Sequence, residues 1–307
     1  MTLSSAALAP FAMPLAALAA VLLDRQLGEA RRFHPLVGFG KWVAAIELRL
    51  NRRTRLTGIL SWSSAVLPVV GLTLLLRPFA PFVVDVALLY FALGAQSLAE
   101  HAEAVAKPLR EGQLDEARQR VGWMVSRETS ALDESGVAKA GVESVLENGN
   151  DAIFATLFWF ALLGGPGALL FRLANTLDAM WGYRTERFNH FGWAAARLDD
   201  GLNWLPARLT ALSYALLGKT ANALRCWRTQ APGWESPNAG PVMAAGAGSL
   251  GIELGGTAIY HGAEEIRPPL GAGPAPVAAD LGRAIVLIQR SLWLWLAVFF
   301  LIGFLHA

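Results

Sequence analysis

The sequence has 307 residues, of which 54% are hydrophobic and only 16% are charged, and its mean hydropathy is +0.40. Soluble domains carry about 25% charged residues, so this composition excludes an ordinary soluble domain and indicates a membrane protein. A formal net charge of +2, with no basic stripe interleaved with aromatic residues, excludes a nucleic-acid-binding protein. The single cysteine, Cys226, excludes an internal disulfide, and we interpret it as a packing residue.

Four apolar runs are long enough to span a bilayer, which takes about 20 residues. They are Ala6–Leu23, Gly58–Leu76, Phe82–Leu98 and Ala284–Leu305. The first run has no basic residue before it and no small-residue cleavage site after it, so we expect a retained membrane segment rather than a signal peptide. We therefore predict an all-α, polytopic integral membrane protein with about four spanning helices.

A shorter apolar run, Ala152–Leu163, ends at a Gly-Gly-Pro-Gly sequence and is followed by a second short run, Ala168–Leu173. About a dozen apolar residues are too few to cross a bilayer, and Gly-Pro sequences mark turns. We interpret residues 152–180 as a re-entrant helical hairpin, with a single kinked span as the alternative. Residues 205–218 are also short and carry Arg208, so we predict an interfacial or buried segment there.

Basic residues concentrate after the first and third apolar runs, whereas only Arg77 lies between the second and third. The positive-inside rule places the two basic segments in the cytoplasm. We expect a single membrane-embedded domain over residues 1–307, with cytoplasmic segments at 24–57, 99–151 and 219–283. Residues 230–280 are rich in Gly and Pro and show little periodicity, which predicts a long loop, either a mobile lid or a flexible connector.

A cytoplasmic helix is predicted over Ala131–Asn148, with a capping box that starts at Ser130 and an Asn-Gly pair that ends it. Glu143 and Glu147 are four residues apart and share one face of this helix, and Asp151 follows its end. Mg²⁺ accepts carboxylate and amide oxygens, often with substrate phosphates completing its shell. We predict that these three acids bind Mg²⁺; a solvated acidic face is the alternative.

The returning arm of the hairpin carries Asn175 and Asp178, one helical step apart, where the two ends of a hairpin meet. A polar pair that only pins the hairpin is the alternative. Arginine forks bind carboxylates or phosphates, although near a membrane surface they also serve as interfacial anchors. The other polar candidates are Arg127, Asn148, Tyr183, Arg184, Arg187, Asp200 and Arg208. Neither standard glycine-rich phosphate loop is present, so a nucleotide is not held by one.

These motifs resemble the adenosylcobinamide-phosphate synthase family of cobalamin biosynthesis, known as CobD or CbiB. The resemblance covers nearly the whole chain. The segments that carry it are His34–Lys41, Arg127–Glu134, Val142–Asn148, Asn175–Arg184, Phe191–Asp200, Pro206–Thr210 and Ser236–Gly240. One departure is Asn-Gly-Asn-Asp at 148–151, where the family is expected to have Asn-Thr-Ser-Asp. The acid is kept, but a hydroxyl that could touch substrate or metal is missing.

The resemblance implies a multi-pass enzyme of the bacterial inner membrane whose active site faces the cytoplasm. Its reaction would be ATP-dependent amide formation between adenosylcobyric acid and (R)-1-amino-2-propanol or the O-phosphate of that amino alcohol. The implied cofactors are Mg²⁺ and ATP, the latter as co-substrate. The implied partners are the corrinoid, the amino alcohol, membrane lipid and other late cobalamin-assembly enzymes.

In such a reaction ATP converts the carboxylate into an acyl phosphate, and the amine then attacks through a tetrahedral oxyanion. We expect Glu143, Glu147 and Asp178 to be catalytic, one carboxylate of the site acting as the base. Substrate binding is expected of Arg127, Asn148, Asn175, Tyr183, Arg184, Arg187, Asp200 and Arg208.

Two other classes of protein fit the sequence less well. A non-catalytic membrane sensor or signalling protein of the same superfamily would not need so many acids and amides at one site. A corrinoid transporter would need polar residues throughout its spans, yet Gly58–Leu76 has no charge and Phe82–Leu98 has only Asp85. The enzyme interpretation therefore accounts for more of the sequence.

Overall fold

The structure is a computed structural model that describes residues 9–29, 35–260 and 262–307. His34, the first residue of one family-like motif, lies outside the described residues. The chain is 76% helical, which confirms the predicted all-α class, and the described part also contains one two-stranded antiparallel sheet.

The elements are numbered in chain order. The helices are α1 (Ala12–Leu27), α2 (Pro35–Leu50), α3 (Arg55–Leu76), α4 (Pro81–Ala92), α5 (Ala95–Arg110), α6 (Leu114–Val121), α7 (Glu134–Gly149), α8 (Ala155–Leu163), α9 (Gly165–Trp181), α10 (Trp193–Leu217), α11 (Thr220–Gln230), α12 (Ala239–Leu250) and α13 (Ala278–Leu305). The strands are β1 (Glu253–Tyr260) and β2 (Ala263–Gly271). Short 3₁₀ turns lie at Ala9–Phe11, Arg77–Phe79 and Ala231–Gly233, and a π-helical segment lies at Asn150–Phe154.

Within the described residues, four helical segments are long and apolar enough to cross a membrane. They are Ala9–Leu27, Arg55–Phe79, Pro81–Arg110 and Ala278–Leu305. Each contains most of one predicted apolar run, so the four predicted spans are confirmed as helices of spanning length. The third is broken after Ala92, because the backbone at Leu93 is extended.

The chain forms two compact units, each built from separate stretches of sequence. The first unit comprises residues up to 95, 151–203 and 296–307, and the second comprises residues 96–150 and 204–295. In the first unit, α9 packs against α2, α3, α4 and α8. The core there includes Trp181 and Phe191, whose rings meet edge to face with centroids 4.8 Å apart.

A tight turn at Gly164 reverses the chain between α8 and α9, which confirms the helical hairpin and not the single kinked span. Gly164 has φ +70°, a conformation that favours glycine. The Asp85 carboxylate accepts a hydrogen bond from the Gly165 N–H at 2.8 Å and two from Arg77 at 2.9 and 3.0 Å. Because Arg77 lies at the end of a candidate span, the apex of the hairpin reaches the level of that end.

The α-helix ends at Gly149, next to its predicted end at Asn148, but the chain stays helical past the Asn-Gly pair, so the prediction of a helix stop there was wrong. After Gly149 the chain passes through the π-helical segment into α8. An added Cβ at Gly149 would meet the Tyr214 hydroxyl and Ile288, so this glycine permits close packing between neighbouring elements. The predicted start was also wrong, because the N-cap is Asp133, whose carboxylate accepts from the Gly136 N–H at 2.7 Å.

The prediction of a long loop at residues 230–280 was also wrong, because this region of the second unit folds into α12 and the β1–β2 hairpin. Every residue of α12 is buried, and its glycines let neighbouring elements approach closely. An added Cβ at Gly246 would meet Leu146, and one at Gly248 would meet the backbone of Ala223. Small residues give a weak periodic signal, which explains why no helix was predicted there.

Candidate functional site

Four acids of the first unit form what we call the aspartate cluster: Asp151, Asp178, Asp199 and Asp200. They come from the π-helical segment, from α9 and from α10. Electrostatic interactions join Asp151 to Asp178 and Asp199, and Asp178 to Asp199 and Asp200. Asp178 lies near the end of α9, outside the four candidate spans. Three separate segments therefore bring like charges together.

Two asparagines supply hydrogen bonds to the aspartate cluster. The Asn203 side-chain N–H donates to Asp151 at 2.8 Å, and the Asn175 side-chain N–H donates to Asp199 at 3.3 Å. Asp199 and Asn203 are buried and lie four residues apart on α10, so they share a face of that helix. The amides orient the carboxylates but do not neutralise their charge.

Three carboxyl groups of the cluster have raised pKa values. Burial raises the pKa of Asp178 to about 6, and the charges of Asp151 and Asp200 contribute. Burial, followed by Asp151 and Asp178, also raises the pKa of Asp199, although hydrogen bonds from two asparagines oppose this shift. Burial raises the pKa of Asp200 as well, against the charges of two arginines. A carboxyl that titrates near neutral pH can accept a proton under physiological conditions.

Arg172 is a further residue of this site, and it was not predicted from the sequence. It lies on α9 one helical step before Asn175, and its charge interacts with Glu29 and Asp151. Its Nε is buried and, among the residues that the structure describes, has no hydrogen-bond partner. A lone arginine inside the apolar run Ala168–Leu173 was the signal that could have identified it.

The second unit contains a different buried site, which we call the Glu143 cluster: Glu143, Arg127, Arg267 and the backbone N–H of Gly255. Glu143 accepts hydrogen bonds from Arg127, from Arg267 at 3.1 and 3.3 Å, and from Gly255 at 2.7 Å. Glu143 is 2% exposed and each arginine side chain is 8% exposed. These contacts join α7 to the β1–β2 hairpin.

The structure argues against Glu143 as a ligand of the predicted magnesium site, whereas Glu147 and Asp151 as ligands stay a prediction. Both carboxylate oxygens of Glu143 are engaged by protein donors, so this residue has little capacity left for a metal ion. In the described parts of the chain, no group of three or more His, Cys, Asp or Glu residues could hold a metal ion. Glu147 is half-buried near the end of α7, and Asp151 belongs to the aspartate cluster. We therefore derive no catalytic step from a resident metal ion.

Two predicted binding residues follow α9 on an exposed segment, and a third pairs with another helix. Tyr183 and Arg184 are exposed. Arg187 donates two hydrogen bonds to Glu47, at 3.0 and 2.5 Å, and lies over the Phe188 ring. The hydrogen bond from Arg187 lowers the pKa of Glu47. Arg187 therefore anchors this segment to α2.

Two predicted binding residues of the second unit also make local contacts. Asn148 donates to the carbonyl and the hydroxyl of Ser144, at 2.9 and 3.1 Å. Arg208 donates to the Asn238 side chain at 2.9 Å and to the Pro237 carbonyl at 3.0 Å, and it lies over the Trp204 ring. Arg208 therefore holds the segment that leads into α12.

The sequence predicted part of each cluster. In the first unit the structure brings together the predicted residues Asp151, Asn175, Asp178 and Asp200, and adds Asp199, Asn203 and Arg172. In the second unit it joins the predicted residues Arg127 and Glu143 and adds Arg267. Arg267 was missed because its strand was predicted to be a loop.

A sequence model of the CobD/Cbib protein family matches residues 17–288 of the chain. The chain belongs to the CobD/Cbib protein family. A CobD relative from Chromobacterium violaceum, named "Cobalamin biosynthesis protein CobD", is 59% identical over 303 residues, covering 94% of this chain and 97% of the relative. A relative of the same name from Stutzerimonas stutzeri is 56% identical, covering 95% and 99%.

More distant CobD relatives also align over most of their length. The protein of that name from Halalkalibacterium halodurans is 36% identical over 311 residues, covering 95% of this chain and 98% of the relative. No solved structure matches the chain. The predicted family is therefore confirmed.

Proposed function

We propose that this CobD/Cbib family member is a cobalamin-biosynthesis ligase of the bacterial inner membrane, with its site facing the cytoplasm. It would join a propionate carboxyl of adenosylcobyric acid to (R)-1-amino-2-propanol, or to the O-phosphate of that compound, with hydrolysis of ATP. Family membership and the names of the relatives support the pathway. The observation that supports the chemistry is Asp178, whose pKa is raised to about 6 inside the aspartate cluster.

Amide formation requires a group that removes a proton from the attacking amine. ATP, as the magnesium complex, is the co-substrate that activates the corrinoid carboxyl as an acyl phosphate. Asp178 takes one proton from the ammonium form of the amine, which frees the lone pair of the nitrogen. The nitrogen then forms a bond to the carbonyl carbon, and phosphate leaves with its bonding electron pair and takes the second proton from nitrogen. A base with a pKa near 6 is ionised at neutral pH and can still hold that proton.

The contacts of the other acids suggest different roles for them. Asp151 and Asp199 each accept a hydrogen bond from an asparagine, so we assign them to positioning within the aspartate cluster. Glu143, which was expected to be catalytic, is assigned to joining α7 and β1, because its oxygens are held by two arginines. Glu147 keeps its predicted catalytic role, without an assigned step.

The proposal is tested by assaying purified, detergent-solubilised protein for amide product with the corrinoid, the amine and ATP together. Asp178→Asn should lower kcat about 10²–10⁴-fold, the typical contribution of a positioned general base. The wild-type rate should rise with pH through about 6, because the base acts in its deprotonated form.

Asp115→Asn is the matched control, because Asp115 is an exposed residue of α6 that pairs locally with Arg118. A sensor or a transporter would form no amide with any combination of substrates. If the folded Asp178→Asn variant has a normal kcat, Asp178 is not the base.

A further inference from the structure

The aspartate cluster, taken together with the charged residues that interact with it, contains more acids than arginines. Electrostatic interactions at the cluster involve Asp178 and Arg172 on α9, Asp199, Asp200 and Arg197 on α10, Asp151 before α8, Glu29 after α1, and Arg184 after α9. Arg197 and Arg184 act on Asp200, at one side of the cluster. The charges that act on the buried Asp199 are those of Asp151 and Asp178, and its hydrogen-bond donors are the neutral amides of Asn175 and Asn203.

Arg172 provides an independent sign that a ligand binds here. Its buried Nε has no hydrogen-bond partner among the described residues, although its charge interacts with Glu29 and Asp151. A buried guanidinium N–H is costly when it lacks an acceptor. Arginine has only donors, so the missing partner must carry an oxygen or another acceptor.

The two features together define the chemistry of the ligand. The carboxylates fit a cationic group, and the Nε donor of Arg172 fits an oxygen on the same molecule. An organic ammonium fits the carboxylates, because its N–H groups donate charge-assisted hydrogen bonds to them.

We propose that the aspartate cluster and Arg172 form the subsite for the amine substrate. The ammonium group binds between Asp151, Asp178 and Asp199, and Arg172 binds the oxygen at the other end, either a hydroxyl or a phosphate ester. This inference rests on the proposed ligase function, since it names where one of the substrates of that reaction binds. It also places the substrate nitrogen next to the proposed base.

The subsite is tested by calorimetric titration of the full-length protein in detergent, without ATP or corrinoid. The probes are (R)-1-amino-2-propanol, its O-phosphate, propylamine and magnesium chloride. Asp199→Asn should weaken the binding of all three amines about 10–100-fold, the usual range for a hydrogen bond to a charged group. Arg172→Gln should weaken the two oxygen-bearing amines by a similar factor and leave propylamine unchanged.

If Arg172→Gln weakens the binding of the O-phosphate more than that of the amino alcohol, Arg172 binds the phosphate ester. If it weakens the binding of the amino alcohol more, Arg172 binds the hydroxyl. Arg120→Gln is the matched control, because Arg120 pairs with Glu116 on the surface of α6. If Asp199→Asn does not fold, as judged by gel filtration and circular dichroism, the Arg172→Gln result decides.

Three results of the binding titrations would overturn the subsite. They are the absence of amine binding to the wild-type protein, unchanged affinities in both variants, and saturable binding of magnesium alone that Asp199→Asn removes. Failure of the ligase proposal is a separate result, since it would appear as amine binding without amide product. If both variants form amide product with an unaltered KM for the amine, the subsite proposal is wrong and the ligase proposal still holds.

Discussion

The Glu143 cluster and the aspartate cluster bury acidic side chains in opposite ways. Glu143 lies between two buried arginines and also accepts a backbone N–H. Asp199 is buried as well, yet the groups that act on it are other aspartates and asparagine amides. At Glu143 the protein supplies the opposite charge, and at Asp199 it supplies more of the same charge.

Burial alone therefore does not indicate a catalytic carboxylate. A buried ion pair costs desolvation on both sides, and the attraction between the partners offsets that cost. A buried carboxylate that lies among like charges shifts its pKa instead, as Asp178 does. Perturbed pKa values concentrate at functional sites, so the aspartate cluster is the better candidate of the two.

The largest expected effect on stability comes from breaking the neutralised site. Glu143→Gln leaves Arg127 and Arg267 buried with no carboxylate between them, and it should lower the free energy of unfolding by about 3–5 kcal/mol. The loss is measured by denaturant titration in detergent. Hydrogen exchange of the Gly255 amide should also accelerate, because that N–H donates to Glu143. Unchanged stability would mean that the cluster does not hold α7 to β1.

A substitution in the aspartate cluster is expected to stabilise the protein, by an amount smaller than the loss expected for Glu143→Gln. Burial raises the pKa of Asp178 from 3.8 to about 6, and each pKa unit corresponds to about 1.4 kcal/mol. Asp178→Asn should therefore raise the free energy of unfolding by about 3 kcal/mol above pH 6. The folded wild-type protein binds this proton more tightly than the unfolded chain does. Its stability therefore falls as pH rises from about 4 to about 6.

Stability measured against pH for the wild type and Asp178→Asn checks this sign. The two curves should meet near pH 4 and separate as pH rises. A variant that is less stable than the wild type at pH 7 would show that Asp178 is paired, as Glu143 is, and would remove the contrast between the clusters.

The smallest effect on stability is expected at an exposed ion pair, which serves as a reference for the two buried clusters. Glu103 pairs with Arg110 at 2.5 Å, and both side chains are about half exposed. Glu103→Gln should change the free energy of unfolding by less than about 1 kcal/mol, because solvent screens an exposed ion pair. The same denaturant titration measures it. If Glu103→Gln loses as much stability as Glu143→Gln, burial does not explain the difference in strength between the exposed and the buried ion pairs.

Several features could be predicted from local sequence because one short stretch determines each of them. Four long apolar runs predicted four helices of spanning length, and the Gly-Gly-Pro-Gly sequence predicted the turn of the hairpin. The one-step spacing of Asn175 and Asp178 on α9 also followed from the period of a helix. The CobD/Cbib family could be identified from the sequence because each of its motifs is a continuous stretch of residues.

Other features depended on residues far apart in the chain. The Asn-Gly pair suggested a helix stop, but Tyr214 and Ile288 pack where any side chain at Gly149 would lie. One of the two arginine partners of Glu143, Arg267, is 124 residues away, so no local pattern could reveal that Glu143 lies between two arginines.

Local sequence was sufficient to predict the membrane-protein class, four helices that are long and apolar enough to span a bilayer, and the types of residue available for chemistry. Only the tertiary structure decided which acids lie between arginines and which lie among other acids. The physical reason is that the pKa of a carboxyl depends on burial and on every charge near it, and these are set by helices that meet in space. Glu143 and Asp178 have similar chemistry in the sequence, and their surroundings separate them.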